Sequence, residues 1–360
     1  MQVRSLKYLT PMVIYAASFH AFLYKGWTIF LPLIIAWGLI PLVELMVKPD
    51  ARNLGLAEEE LVRKDPIYDF WLYLVVPLQY AALFLFLKSL QDPALETWEI
   101  IGRIFVMGLL CGTFGINVAH ELGHRKNRFE QTLAKLLLLT SQYMHFFIEH
   151  NKGHHKRVST PEDPSSARYG ETVYAFYFRT VIGSWLSAWH IAARDLQRKC
   201  LPALHWRNEM LRFQVIQLVF IGAIWYLFGW NILLLYLTSA ILGFLMLETV
   251  NYIEHYGLQR RKTGPGSYEK PLPIHSWNSN HILGRLLLFE LSRHSDHHYQ
   301  ASRKYQVLRH HEESPQMPTG YPGMMILSLF PPAWFRVMNP RVQKVTTVFR
   351  GKMEYRQPEP

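Results

Sequence analysis

The sequence predicts an all-α integral membrane protein in which six transmembrane helices carry a cytosolic, histidine-rich cap that holds a dinuclear metal site. Three observations carry that expectation. Six apolar stretches are each long enough to cross the roughly 30 Å hydrocarbon core as a helix. Their connections alternate between short, cation-poor turns and long basic segments. Nine of the seventeen histidines fall into four short clusters, each at the basic mouth of an apolar segment.

The first stretch runs from about 8 to 24 and the second from about 27 to 47, with a turn near Lys25 and Gly26. Lys48, Arg52, Arg63 and Lys64 mark the connection that follows. Stretches at about 70–88 and 99–119 form the next hairpin, turning between Ser89 and Trp98, where Asp92, Glu96 and Glu99 gather. A long connection then carries Arg125, Lys126, Arg128, Lys156, Arg157, Arg194, Arg198 and Lys199. The last hairpin, about 212–228 and 231–251, turns at Gly229 to Asn231 and leads into Arg260, Arg261 and Lys262. The cation count puts both termini and all four histidine clusters in the cytosol. The whole chain is expected to be one membrane domain, with a cap built from 120–211 and 252–340 and a loosely ordered polar tail at 341–360. The opening MQVRSLKYLTPMV has a basic start without a small-residue cleavage site, so it reads as the approach to a retained first helix.

Two further apolar stretches are not counted as spans. A helix crossing at 131–148 would put His150 across the membrane from His124, so this segment is expected to pack at or just under the interface. Residues 173–193, interrupted by Arg179, are read the same way.

Composition narrows the chemistry. Half of the 360 residues are apolar, yet the mean hydropathy is close to zero, as expected of a membrane sector joined to a polar one. A formal charge of +11 fits Lys and Arg facing the cytosol and anionic lipid better than nucleic-acid binding. Cys111 and Cys200 are the two cysteines, and they form no CxxC pair, which excludes a disulfide framework, a zinc ribbon and a rubredoxin-type module within this sequence.

The histidine clusters are HELGH with His120 and His124, EHNKGHH with His150, His154 and His155, NYIEHYGL with His255, and RHSDHH with His294, His297 and His298. A zinc ion takes at most four protein ligands, so nine imidazoles point to two transition-metal ions held almost wholly by nitrogen. At about 100° per helical residue, His120 and His124 share one face and can clamp one ion. His294, His297 and His298 span an arc of about 100°, again one face. His150 and His154 are expected to act together, while a break at Gly153 turns His155 towards the other ion. His20, His145, His190, His205, His310 and His311 read as ordinary surface or core residues.

Glu121, Glu149, Glu254 and Asp296 stand beside these histidines. A ligating imidazole usually donates its other N–H to a carboxylate or carbonyl. The four acids are therefore expected as hydrogen-bond partners of the ligands more than as ligands. His275, Asn280 and His281 in HSWNSNH are candidates for the same outer role.

Two other functional classes fit these residues less well. HELGH fits the H-E-x-x-H pattern of membrane zinc proteases, but that chemistry leaves six clustered histidines without work. A metal transporter places polar ligands along a mid-membrane pathway, whereas here they sit at one end of nearly uncharged spans.

The residues also carry a resemblance. NVAHELGHRK at 117–126, HFFIEHNKGHHKRVSTPEDPSSARYGE at 145–171, NYIEHYGLQR at 251–260, HSWNSNH at 275–281, LSRHSDHHYQASRKYQVLR at 291–309 and PTGYPGMM at 318–325 resemble the membrane-bound non-haem di-iron alkane hydroxylases, the alkane 1-monooxygenases. These belong to the wider histidine-rich group of fatty-acid desaturases and xylene monooxygenase. The resemblance implies that the nine histidines bind two iron ions and that dioxygen is split over the terminal methyl of a medium-chain n-alkane. It implies electrons from a separate rubredoxin, itself reduced by an NADH-dependent rubredoxin reductase, and a place in the bacterial inner membrane. A xylene-type methyl monooxygenase and a fatty-acyl desaturase or hydroxylase are the alternatives within the group. An alkane offers nothing to hydrogen-bond, so burial at roughly 0.8 kcal/mol per methylene is its handle. Trp37, Met107, Phe114 and Phe244 are candidate lining residues of a channel through the bundle.

Overall fold

The computed structural model describes residues 2–354 and is mostly helical, with one small antiparallel hairpin, Lys262–Gly264 against Ser267–Tyr268. Among the described residues, five helices are long and apolar enough to cross a membrane: Trp27–Met46, Ile67–Ser89, Thr97–Gly123, Glu209–Phe228 and Trp230–His255. The stretch expected as the first span is shorter as a regular helix. Thr10–Leu23 has 14 residues, about 21 Å at 1.5 Å per residue, and a 3-10 turn, Leu6–Leu9, leads into it.

The Thr97–Gly123 and Trp230–His255 helices form the centre of the bundle, and glycine lets them meet. Gly108 and Gly112, four apart, face Gly243 closely. A Cβ on Gly243 would lie 2.5 Å from Cys111 Cβ, and one on Gly112 would lie 2.7 Å from the Gly243 carbonyl. Small residues at this spacing bring helix backbones together where lipid supplies no hydrophobic drive. Side-chain caps set several boundaries. Asn127 accepts from Phe129 N, Thr172 from Ala175 N, and Asn208 from Met210 N and Leu211 N.

Neither stretch set aside in the sequence forms one of the five long apolar helices. The first ends as a helix at Thr140 and turns through Ser141–His145 before a short turn of helix, Phe146–Glu149. The second becomes the 25-residue helix Val173–Gln197, which leaves Tyr174, Phe178, Ile182 and Trp185 exposed on its outer side. The expected loose tail is a correction. Pro331–Glu354 is one helix through Pro340, seated by the buried Trp334, Met338 and Val342. Residues 355–360 of that tail lie outside the described chain.

Candidate metal centre

All four histidine clusters meet at the ends of two central helices. His120 and His124 end the Thr97–Gly123 helix, which loosens into a π-helical segment at Cys111–Ile116 before the regular turns that carry them. His255 is the last residue of Trp230–His255. His294, His297 and His298 ride on a short helix, His294–Tyr299.

The nine imidazoles separate into two sets. His120, His124, His150, His155 and His297 form one; His154, His255, His294 and His298 form the other; within each set the candidate ligand atoms lie within 4.8 Å of one another. This corrects two expectations. His150–His154 is a π-helix, whose i to i+5 spacing aligns His150 with His155 and sends His154 to the other set. Gly153 does not break the chain: it leaves room for Glu149 and Arg157, since a Cβ there would lie 2.4 Å from Glu149 Oε1. The His294 cluster also divides. The 100° between neighbours His297 and His298 is enough to aim them at different sets, while His294 and His298 share theirs.

The ring nitrogens are arranged as a cation would require. In the five-membered set, Nε2 of His297 lies 2.9 Å from that of His120 and 3.1 Å from that of His155. His150 Nε2 is 3.0 Å from His155 Nε2 and 3.2 Å from His124 Nε2. In the other set, His154 and His298 approach at 3.3 Å and His294 and His255 at 3.2 Å, again Nε2 to Nε2. One neutral Nε2 either donates or accepts a single hydrogen bond, so rings with two such neighbours cannot satisfy both. Around one ion with metal–nitrogen bonds of about 2.0–2.1 Å, neighbouring ligand atoms fall roughly 3 Å apart. The donor set therefore fits two metal ions.

Electrostatics point the same way. Burial, followed by mutual repulsion, holds His150, His155, His294, His297 and His298 well below the usual histidine range. Burial likewise pushes His124 down to about 3. These rings present lone pairs, the form that binds metal. His154 differs. Burial lowers its pKa, but the charge and hydrogen bond of Asp163 outweigh that and raise it.

Asp163 was not among the sequence candidates. Its Oδ2 lies 2.9 Å from His154 Nδ1 and 2.6 Å from Ser166 Oγ, which donates to it. The PEDPSSARYGE stretch held the signal, nine residues beyond His154, but no spacing rule links the two. Of the predicted acids, Glu254 reaches a clustered ring at its inward nitrogen and not at the outer one: Oε2 lies 3.1 Å from His294 Nε2, while Oε1 accepts from Tyr321 Oη at 2.8 Å. The other three bind arginines instead: Glu121 with Arg125, Glu149 with Arg157, and Asp296 with Arg303. Asp296 also accepts from His311 at 2.7 Å. Burial, followed by repulsion from Asp163, pushes Glu149 up to about 7.

The HSWNSNH residues build the cap. His275 pairs with Glu269 at 3.2 Å, Asn280 binds Gln316 and His310, and His281 Nδ1 meets Ser279 Oγ at 3.0 Å. None of the four channel candidates lines the small pocket beside the histidines. This pocket touches both histidine sets and is walled by Phe146, Leu247, Val250 and Leu291, with Asn117 and Asn251 at its side. Met107 and Phe114 are fully buried in bundle packing, Phe114 against Tyr15; Phe244 stacks on Tyr143, and Trp37 packs between the two core clusters.

A profile of the fatty acid desaturase family matches residues 96–328, which include all nine histidines. The chain is 44% identical to alkane 1-monooxygenase 2 of Pseudomonas aeruginosa over 315 residues, 86% of this chain and 82% of that protein. The chain belongs to the alkane 1-monooxygenases of the fatty acid desaturase family. Alkane 1-monooxygenase 1 of Alcanivorax borkumensis is 40% identical to it across 89% of this chain and 79% of its own length. The hydroxylase component of a Pseudomonas putida xylene/toluene monooxygenase is 28% identical over 93% of this chain and 88% of that protein. As a member of the alkane 1-monooxygenases, the chain places its histidines inside the part of the sequence that the family shares.

Proposed function

We propose that this protein is a membrane-bound, non-haem di-iron monooxygenase that converts medium-chain n-alkanes to 1-alcohols. One atom of dioxygen enters the terminal methyl and the other leaves as water, with two electrons and two protons consumed. The observation that carries this reading is the convergence of nine imidazoles into two Nε2-lined sets at the end of an apolar bundle, in a chain of this family. A set of five nitrogens exceeds the four of a tetrahedral zinc site, which favours iron.

The irons, when bound, supply the oxygen-activating chemistry that attacks an unactivated C–H bond. The protein does the rest. Asp163 accepts from Nδ1 of His154 and so holds the ring with Nε2 directed into its set. Phe146, Leu247, Val250 and Leu291 offer a water-excluding wall beside both sets, where a terminal methyl can rest. Each methylene that leaves water contributes about 0.8 kcal/mol to holding a substrate that has no polar handle.

In this reading Thr10–Leu23 and its lead-in make the sixth span, and the clusters and both termini face the cytosol of a bacterium across its inner membrane. Electrons in this reading come from a separate rubredoxin and its NADH-dependent reductase. The test is to measure metal per chain and then supply rubredoxin, its reductase, NADH and octane. Two irons and 1-octanol support the proposal. A single zinc, or preferential oxidation of toluene, would replace it with the protease or the xylene-type reading, the latter favoured by the 28% identical relative.

A further inference from the structure

Away from the histidines, a cleft is lined by five cationic side chains, Arg4, Lys7, Arg52, Arg285 and Arg293, and by three carboxylates, Asp50, Glu58 and Glu290. Its position is set by three apolar helices. Lys7 and Tyr8 lead into Thr10–Leu23, Asp50 to Leu54 follow the end of Trp27–Met46, and Tyr68 lies in the first turn of Ile67–Ser89. These ends are on the histidine side of the bundle, because Arg293 directly precedes His294. The cleft thus sits where apolar helix ends give way to polar cap, which is the depth of lipid headgroups when these helices span a membrane.

The charges do not cancel. Arg4 pairs with Glu58, Arg52 with Asp50 at 2.8 Å, and Glu290 serves both Lys7 at 3.2 Å and Arg285 at 2.6 Å. Arg293 makes no direct ion pair among the described residues, although the Glu290 and Asp50 carboxylates act on its charge from nearby. It is 3% exposed and its guanidinium donates to the carbonyls of Leu308, Asp50 and Arg52 and to Asn53 Oδ1. Its Nε has no partner. Burying a cation that makes no direct ion pair is costly, and a bound anion offsets that cost. Exposed apolar side chains flank the cleft: Leu6 and Leu9 on one side, Leu45 and Met46 on another, and Leu56 and Leu61 on the helix above.

We propose that this cleft binds the phosphate of an anionic phospholipid headgroup, with the acyl chains lying along the exposed leucines. Arg293 also stands at the first position before the helix that carries His294, His297 and His298, so the lipid steadies the element that contributes to both histidine sets. The proposal rests on the membrane reading of the helices and is independent of alkane turnover.

The experiment compares the full chain in nanodiscs of phosphatidylcholine alone and of phosphatidylcholine with phosphatidylglycerol, by thermal unfolding, and measures phosphatidylglycerol retained by the detergent-purified protein by native mass spectrometry. A parallel arm adds inorganic phosphate to the detergent-purified protein. Phosphatidylglycerol should raise the midpoint and remain bound. The Lys7→Gln/Arg52→Gln variant removes two cations near the surface, each worth about a fivefold change in binding, and should bind about 25-fold more weakly. Both residues are exposed enough to be replaced without opening the core. Equal midpoints in the two lipids, equal retention by the variant, or stabilisation by inorganic phosphate to the same extent as by phosphatidylglycerol would each overturn the proposal. Failure to oxidise octane would leave it standing.

Discussion

Asp163 Oδ2 lies 2.9 Å from His154 Nδ1, and both side chains are buried to within 1% of their surface. This pair fixes a proton on the outer nitrogen of His154 and so frees Nε2 for metal. Nδ1 of His294 and of His298, in the same set, has no such partner. Asp163→Asn removes the charge while keeping the shape. Loss of an outer carboxylate typically weakens metal binding about 10- to 100-fold, so metal per chain under limiting supply should fall from two towards one. Full occupancy at the wild-type affinity would show that His154 needs no such anchor.

The division between His297 and His298 predicts a pattern of coupling. His297→Ala should be strongly non-additive with His120→Ala, because both empty the same set, and much closer to additive with His298→Ala. Metal titrations followed by absorbance on singles and doubles measure this. Equal coupling in the two pairs would mean that the ions are not partitioned as the nitrogens are.

Val250 lines the pocket between the sets. Val250→Phe should cut octane turnover by an order of magnitude or more while leaving metal content intact, since no ligand is touched. Alanine at Trp37, Met107, Phe114 or Phe244 should act through bundle stability instead. A product profile that shifts with any of those four, and ignores Val250, would place the alkane in the channel expected from sequence.

Gly243→Val tests the helix crossing. A Cβ there meets Cys111 Cβ at 2.5 Å, so the helices must part, at a cost of about 1–3 kcal/mol for overpacking. The thermal midpoint should fall, and Cys111→Gly should recover part of the loss. No change in midpoint would show that the two helices have slack at this level.

Glu290 carries a pH signature. Burial raises its pKa, but Arg285, Lys7 and Arg293 together lower it to about 2. With an unfolded value of about 4.3, the shift of roughly two units corresponds to about 3 kcal/mol. A depressed folded pKa gives stability that is fully present above about pH 4.3 and lost as pH falls towards 2. Glu290→Gln should therefore destabilise the protein at pH 6, with the gap to wild type closing as the pH drops through that window. A gap independent of pH would assign the loss to packing and not to charge.

Local chemistry made much of this protein legible. Apolar length marked five of the long helices, because a helix that buries its backbone in lipid needs about twenty apolar residues whatever lies beside it. The nine histidines announced themselves by number and crowding. The fate of 131–148 followed from requiring His124 and His150 to meet, and they do, at 3.2 Å. Residue spacing on a regular helix failed at His150–His155, since nothing in EHNKGHH announces a π-turn, and that single irregularity reverses which imidazole goes where.

Sequence by itself determined the clustered imidazoles, their number and the apolar frame, since these depend on composition and short-range periodicity. Only the tertiary structure decided the division into five and four nitrogens, the partnership of Asp163 with His154, the diversion of Glu121, Glu149 and Asp296 to arginines, and the pocket walled by Leu247, Val250 and Leu291. The reason is physical. Each of those features is an approach of a few ångströms between side chains whose directions are set by packing of separate helices, and no interval along the chain encodes it.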